Sequence, residues 1–183
     1  PFTVLVRADS PIRDFSELRR AAVNLGPEHA AVRMMVEEVF SLLGWRLEDF
    51  AARGEIPPAE QAHALCEGRV DAIFYSVGHP NGNVQQAAAL CPLRALPLTE
   101  ELAKRLLARA PYFFPAVIPG GMYAGNPEDI RTIGVKATLV TRASVPDAVV
   151  EAMVRSVFSN LANFKTLHPV FARIEAETMV EKG

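Results

Sequence analysis

Two stretches of the 183-residue chain combine residue types suited to holding a small molecule. The first is Val23-Asn24-Leu25-Gly26-Pro27-Glu28-His29-Ala30-Ala31, which passes from a strand-like apolar run through a Gly-Pro breaker into a helical pattern. The first N–H groups of a helix lack intrahelical acceptors and carry the positive end of its dipole. The turn at Glu28, His29, Ala30, Ala31 and Val32 therefore suits an anion such as a carboxylate, although the same residues also read as an ordinary strand–helix connection. The second stretch, Phe74-Tyr75-Ser76-Val77-Gly78-His79-Pro80-Asn81, closes a buried-strand pattern with an aromatic, a hydroxyl and an amide. Tyr75, Ser76, Gly78 and Asn81 are candidate ligand contacts, with Tyr75 able to stack on or hydrogen-bond a small molecule. The alternative for Tyr75 is a core position with its hydroxyl satisfied locally.

Other chemistry is missing from the pattern. His29, His63, His79 and His168 are scattered, and none pairs with another His or a Cys at metal-ligand spacing. His79, just before Pro80, reads as a loop residue, and Asp71 as a turn or edge acid. No nucleophile elbow, phosphate-cradling loop or dinucleotide fingerprint occurs. The expectation is a non-enzymatic protein with no catalytic residue, no metal and no cofactor. Cys66 and Cys91 are too few for a disulfide framework. They read as two small buried hydrophobes, with a single disulfide as the alternative.

The elements that must position these stretches alternate between strand and helix. Strand patterns cover Thr3–Arg7, Ala22–Leu25, Val70–Tyr75, Leu93–Leu96, Phe113–Ile118 and Thr132–Thr141. Helix patterns cover His29–Leu43, ended by Gly44, then Ala59–Glu67, ended by Gly68, and Gln85–Leu90. Thr99 caps a helix to Ala108, with Glu100 and Glu101 in its first turn. Asp14 and Glu17 form a capping box for a short helix. Ser144-Val145-Pro146 opens a long amphipathic helix with Val149, Met153, Val157 and Leu161 on one stripe, and a short helix follows Pro169. Such alternation predicts an α/β fold with a mixed, largely parallel sheet, which binds ligands at the carboxyl ends of its strands.

Bulk properties fit that class. With 19 Lys plus Arg against 21 Asp plus Glu, the net charge of −2 argues against a nucleic-acid partner or an anionic-membrane binder. Half the residues are hydrophobic, enough for a packed core. The uncharged stretch from Ala110 to Pro127 holds four prolines and three glycines and cannot run as a membrane helix. The chain opens on Pro1 without a leader pattern, which leads us to expect a processed or truncated start. A mean hydropathy of +0.13 is high for an independent soluble domain.

Taken in order, several blocks resemble the solute receptors of TRAP transporters of the TAXI type. They are Ser10-Pro11-Ile12, Val23-Asn24-Leu25-Gly26-Pro27, Asp71-Ala72-Ile73-Phe74-Tyr75 with Gly78-His79-Pro80-Asn81, and Cys91-Pro92-Leu93-Arg94. Pro115-Ala116-Val117-Ile118-Pro119 with Tyr123, and the run Thr132 to Thr141, complete the set. The resemblance implies a periplasmic solute-binding protein of two type II α/β lobes. It closes on a small organic acid or amino acid and passes it to a membrane permease. Only the later part of such a receptor is matched. Residues 1–9 are then a hinge strand crossing into the second lobe, 10–131 that lobe, and 132–143 the returning hinge strand. Residues 144–183 are helices that pack on the first lobe. The two hinge strands are expected to lie side by side. Apolar faces meant for the first lobe are left exposed, so self-association is expected.

One departure bears on the ligand. Receptors of this type carry small and hydroxyl residues after the Gly-Pro, where this chain has His29-Ala30-Ala31-Val32, preceded by Glu28. A carboxylate there opposes an acidic ligand, so no particular acidic amino acid is carried over. The alternative function is the ligand-sensing effector domain of a bacterial transcriptional regulator, which shares the two-lobe architecture.

Overall fold

The computed structural model describes residues 1–180, in two compact units that divide at Val135 and Lys136. Unit 1 is built on a five-stranded sheet of order β3-β2-β4-β1-β5. The strands are β1 (Phe2–Arg7), β2 (Ala22–Asn24), β3 (Ala52–Gly54), β4 (Ala72–Ser76) and β5 (Leu93–Ala95). β2 pairs in parallel with β3 and β4, while β1 is antiparallel to β4 and β5 on either side. Four strands thus run one way and β1 alone opposes them, so the expected α/β fold with a mixed, largely parallel sheet is observed.

Alternation along β1 gives the sheet two buried faces. Phe2, Val4 and Val6 join Phe74 and helix α1 (Ala31–Leu43) in one core. Leu5, Ile73 and Tyr75 join α2 (Gln61–Cys66) and α3 (Gly82–Leu90) in the other. The first core is rich in rings: Phe2 stacks on Phe74 at 5.8 Å, and Phe40 on Phe50 at 4.6 Å. Helix α1 buries Met35, Val36, Val39, Phe40 and Leu43 and ends where Gly44 takes a φ of 75°. Helix α4 (Glu100–Arg109) then sends Arg105 to the Leu43 carbonyl and Arg109 to that of Leu42. Asp14 and Glu17 form the expected capping box, over a 3-10 helix, Phe15–Arg20.

Two strands lie apart from the sheet. β6 (Phe113–Ile118) and β7 (Ile130–Val135) make an antiparallel pair in full register. The Phe114 ring lies over Gly134, where a Cβ would come within 2.9 Å of it. β7 ends at Val135, short of the expected Thr141, because β6 has no residue beyond Phe113 to pair with it. β1 and β7 share no ladder, but the Thr132 hydroxyl donates to the Phe2 carbonyl.

The cysteines correct the sequence reading. Cys66 and Cys91 are not two separate hydrophobes but a disulfide, with Cα atoms 5.8 Å apart. It joins the C-terminal ends of α2 and α3, which pack beside each other. Strand β3 was also missed: three residues with an exposed Arg53 carry no periodic signal.

Unit 2 starts with residues 136–142 outside regular structure. Helix α5 (Asp147–Ser159) buries none of its residues, and Val149 and Met153 are 47% and 48% exposed. The expected stripe to Leu161 breaks at Asn160, whose side-chain amide donates to the Ser156 carbonyl. α6 (Leu161–Thr166) follows, then a 3-10 turn from Pro169 to Arg173 and α7 (Ala176–Met179). Phe164 stacks on Phe171 at 4.8 Å. Among the described residues no helix is long and apolar enough to cross a membrane.

Candidate functional site

Because β2 and β4 are adjacent and parallel, the loops that leave them open on the same edge of the sheet. That geometry brings the two candidate stretches together. Ser76, last in β4, donates its hydroxyl to the Met35 sulfur of α1 at 3.0 Å. The five residues from Glu28 to Val32 form the turn into α1 at this edge. Glu28, His29 and Ala31 are exposed, while Ala30 and Val32 are half-buried. His29 takes a φ of 65°, in the left-handed region, to turn the chain into the helix. Ala30 is the N-cap and offers no side-chain acceptor. Helix α2 likewise starts without a side-chain cap, whereas α3 and α4 have one. Asn81 caps α3 by accepting from the N–H groups of Asn83 and Val84, and Thr99 caps α4.

Polar contacts brace the edge from below. Asn24, 1% exposed at the end of β2, accepts from the N–H groups of Gly26 and Ile56. Its amide donates to the Ile56 carbonyl and to Gln61 Oε1, and Gln61 donates onward to the Phe74 carbonyl. One side-chain pair therefore ties β2, β4 and the segment after β3 together. Above them, Arg33 of α1 bonds the Gly26 carbonyl, Glu37 at 2.8 Å and Glu55 at 2.7 Å. Its bonds to Glu55 and Glu37 push its pKa up, so this guanidinium stays charged and is already engaged.

Tyr75 departs from its expected place. It is 3% exposed and packs among α2 and α3, on the face of the sheet away from α1. Burial pushes its pKa up, with Gln61 opposing, and its hydroxyl has no hydrogen-bond partner of good geometry. What it presents is an unpaired hydroxyl inside the core, not a ring face at the loop. Gly78 and Asn81 are half-buried in the β4–α3 loop.

His79, read from sequence as a loop residue, lies in that loop, and both its ring nitrogens are engaged. Its Nε2 lies 2.8 Å from Thr3 Oγ1 and its Nδ1 2.7 Å from the Tyr123 hydroxyl. Burial is the main cause, with the Pro1 amine adding to it, of a His79 pKa lowered to about 4. The ring is therefore neutral at pH 7. Neither Asn24–Gln61 nor Thr3–His79 had a sequence signal, since each pairs residues tens of positions apart. Among the described residues no three His, Cys, Asp or Glu side chains converge as a metal site requires.

Among solved structures, the periplasmic aliphatic sulphonate binding protein SsuA from Escherichia coli is 13% identical, with a TM-score of 0.44, over 93% of this chain and 43% of that one. The substrate binding protein of an amino acid ABC transporter is 15% identical, with a TM-score of 0.44, over 89% and 54%. The BenM effector binding domain is 12% identical, with a TM-score of 0.43, over 100% and 65%. The chain thus spans about half the length of the first of these structures that it matches. A family model matches all of residues 1–183, and the chain belongs to the NMT1-like family.

Proposed function

We propose that the chain is the ligand-binding lobe of a solute-binding protein that captures a small organic acid or amino acid. The observation that carries this reading is the shared edge of β2 and β4. There the uncapped start of α1 faces the loop from Ser76 to Asn81. An acid group of the ligand takes the first-turn N–H groups of α1, which no side chain of the turn satisfies. Arg33 does not serve it, being held by Glu37 and Glu55, and Glu28 stands exposed beside the turn. A ligand that also carries an amine meets Glu28 favourably. The ligand contacts are Glu28, His29, Ala30, Ala31, Val32, Ser76, Gly78 and Asn81, while Tyr75 lies in the core on the other face of the sheet.

The order of the sequence blocks supports a TRAP-type permease as the recipient of the ligand. The Cys66–Cys91 bond supports a periplasmic location, because disulfides persist in oxidising compartments. In this reading β1 and the segment from Thr132 are the hinge, and residues 144–183 cover the other lobe.

A thermal-shift screen of amino acids and small carboxylates, run on the full-length product, tests the reading. A ligand at one hundred times its Kd adds about 2.7 kcal/mol of stability. A stabilising hit whose effect disappears in Ser76→Trp, a variant that fills the edge, supports it. No hit across acids and amino acids at millimolar concentration overturns it.

A further inference from the structure

One side chain at the ligand edge joins three segments of unit 1. His79 sits in the β4–α3 loop, Thr3 on β1, and Tyr123 in the connection between β6 and β7. His79 bonds both, and Tyr123 accepts the Asn81 N–H at 2.8 Å. The Tyr123 ring stands edge-on to the imidazole, centroids 5.6 Å apart. Thr3 and Tyr123 are buried. The imidazole thus ties the loop from Ser76 to Asn81 on both sides, alongside the direct bonds of the Val77 N–H to the Pro1 carbonyl and of the Asn81 N–H to Tyr123.

The protons in this chain can be placed. The Tyr123 oxygen accepts from Asn81, so its own proton has the His79 Nδ1 as its partner. A phenol, with a pKa of about 10, is a stronger donor and a weaker acceptor than the aliphatic hydroxyl of a threonine. Tyr123 therefore donates to Nδ1, and Nε2–H donates to Thr3. We infer that His79 is a positioning residue for the ligand edge: as the neutral Nε2–H tautomer it pins the Ser76–Asn81 loop to β1 and to the β6–β7 connection, and it lets that loop go when protonated. Protonation takes away the acceptor of the phenol proton and leaves a half-buried imidazolium. The groups facing it are Thr3, Tyr123 and, where the chain starts at Pro1, its amine, and among the described residues no carboxylate is bonded to it. The role rests on the proposed ligand site, but the hydrogen-bond chain can be tested without any ligand.

The experiment is 15N NMR of the histidine rings with amide exchange at Asn81, on the ligand-free full-length protein from pH 7 to pH 3.5. The expected result is a His79 ring protonated on Nε2 at pH 7 that titrates well below the ordinary value of about 6.5. Asn81 protection falls roughly tenfold in step with that titration, as for one lost hydrogen bond. Amides of Val39 and Phe40 in α1 keep their protection over the same range, which separates loop release from acid unfolding. In His79→Gln the step at Asn81 disappears. Thr3→Val, which removes only the Nε2 partner, raises Asn81 exchange already at pH 7. A proton on Nδ1, a titration near 6.5, or an Asn81 step that persists in His79→Gln overturns the inference. A blank ligand screen bears on the proposed function alone.

Discussion

Removing the Cys66–Cys91 bond is the perturbation whose size follows most directly from the structure. The bond closes a loop of 25 residues that contains β4, the candidate loop and α3. In the chain-entropy treatment a loop of that length restricts the unfolded ensemble by about 3.5 kcal/mol at 25 °C. The native contacts of α2 with α3 remain, because both helices bury Leu65, Val84 and Ala87 in the core under β4. The double variant Cys66→Ala with Cys91→Ala should therefore fold and lose about 3 kcal/mol. For a chain of this size that is a drop of roughly 6–12 °C in Tm. The assay is urea unfolding of the oxidised wild type, of the wild type in dithiothreitol and of the double variant, followed by far-UV circular dichroism. The midpoints of the last two should coincide, well below that of the first. Equal midpoints for all three would refute the reasoning, since a loop of 25 residues cannot be closed without entropic effect on the unfolded chain.

Asn24→Ala strands the buried Gln61 Oε1 and the N–H groups of Gly26 and Ile56, and should cost about 2–4 kcal/mol in the same urea assay. The lowered pKa of His79 makes folding stability pH-dependent with a definite sign. Between about 4 and about 6.5 the unfolded chain binds a proton that the folded one does not. Stability is then full above about 6.5 and is lost as the pH falls toward 4, and His79→Gln should remove that slope from urea titrations. Because Val149, Met153 and Val154 are half exposed on a helix that buries nothing, the 183-residue chain should self-associate. Light scattering after size exclusion should show mass rising with concentration, and Met153→Asp should return it to a monomer.

Local signals carried most of the fold. Gly44 stops α1 because only its left-handed backbone lets the N–H reach the Phe40 and Ser41 carbonyls, and that requirement is visible as a glycine after a helical pattern. Thr99 and the Asp14–Glu17 box were legible for the same reason, since cap and partner lie within three residues. β3 was not, because Ala52–Gly54 takes its place from the edge of β2 and not from its own side chains. The strand after Ile130 was overextended because Lys136–Thr141 is β-rich in composition, and composition does not say whether a partner strand is alongside.

The site divides along the same line, and the division has a physical basis. Both loops were legible as breakers after apolar runs, and their meeting followed from one fact, that β2 and β4 are neighbours in parallel. What fixes the loops in place is long-range and polar. Asn24 finds Gln61 at a separation of 37 residues, and Thr3 finds His79 at 76. A polar side chain at such a position gives no periodic pattern, and its burial is tolerable only because a distant partner is present. Tyr75 shows the converse. Its place at the end of an apolar strand suggested a ligand contact, yet strand alternation fixes its face by parity with Ile73, which lies in the α2–α3 core. Ser76, one residue on, falls on the α1 side by the same parity. Counting from the buried strand thus assigns the hydroxyl and not the ring to the turn at Glu28–Val32, a step available from the sequence once the face of Phe74 against α1 is known.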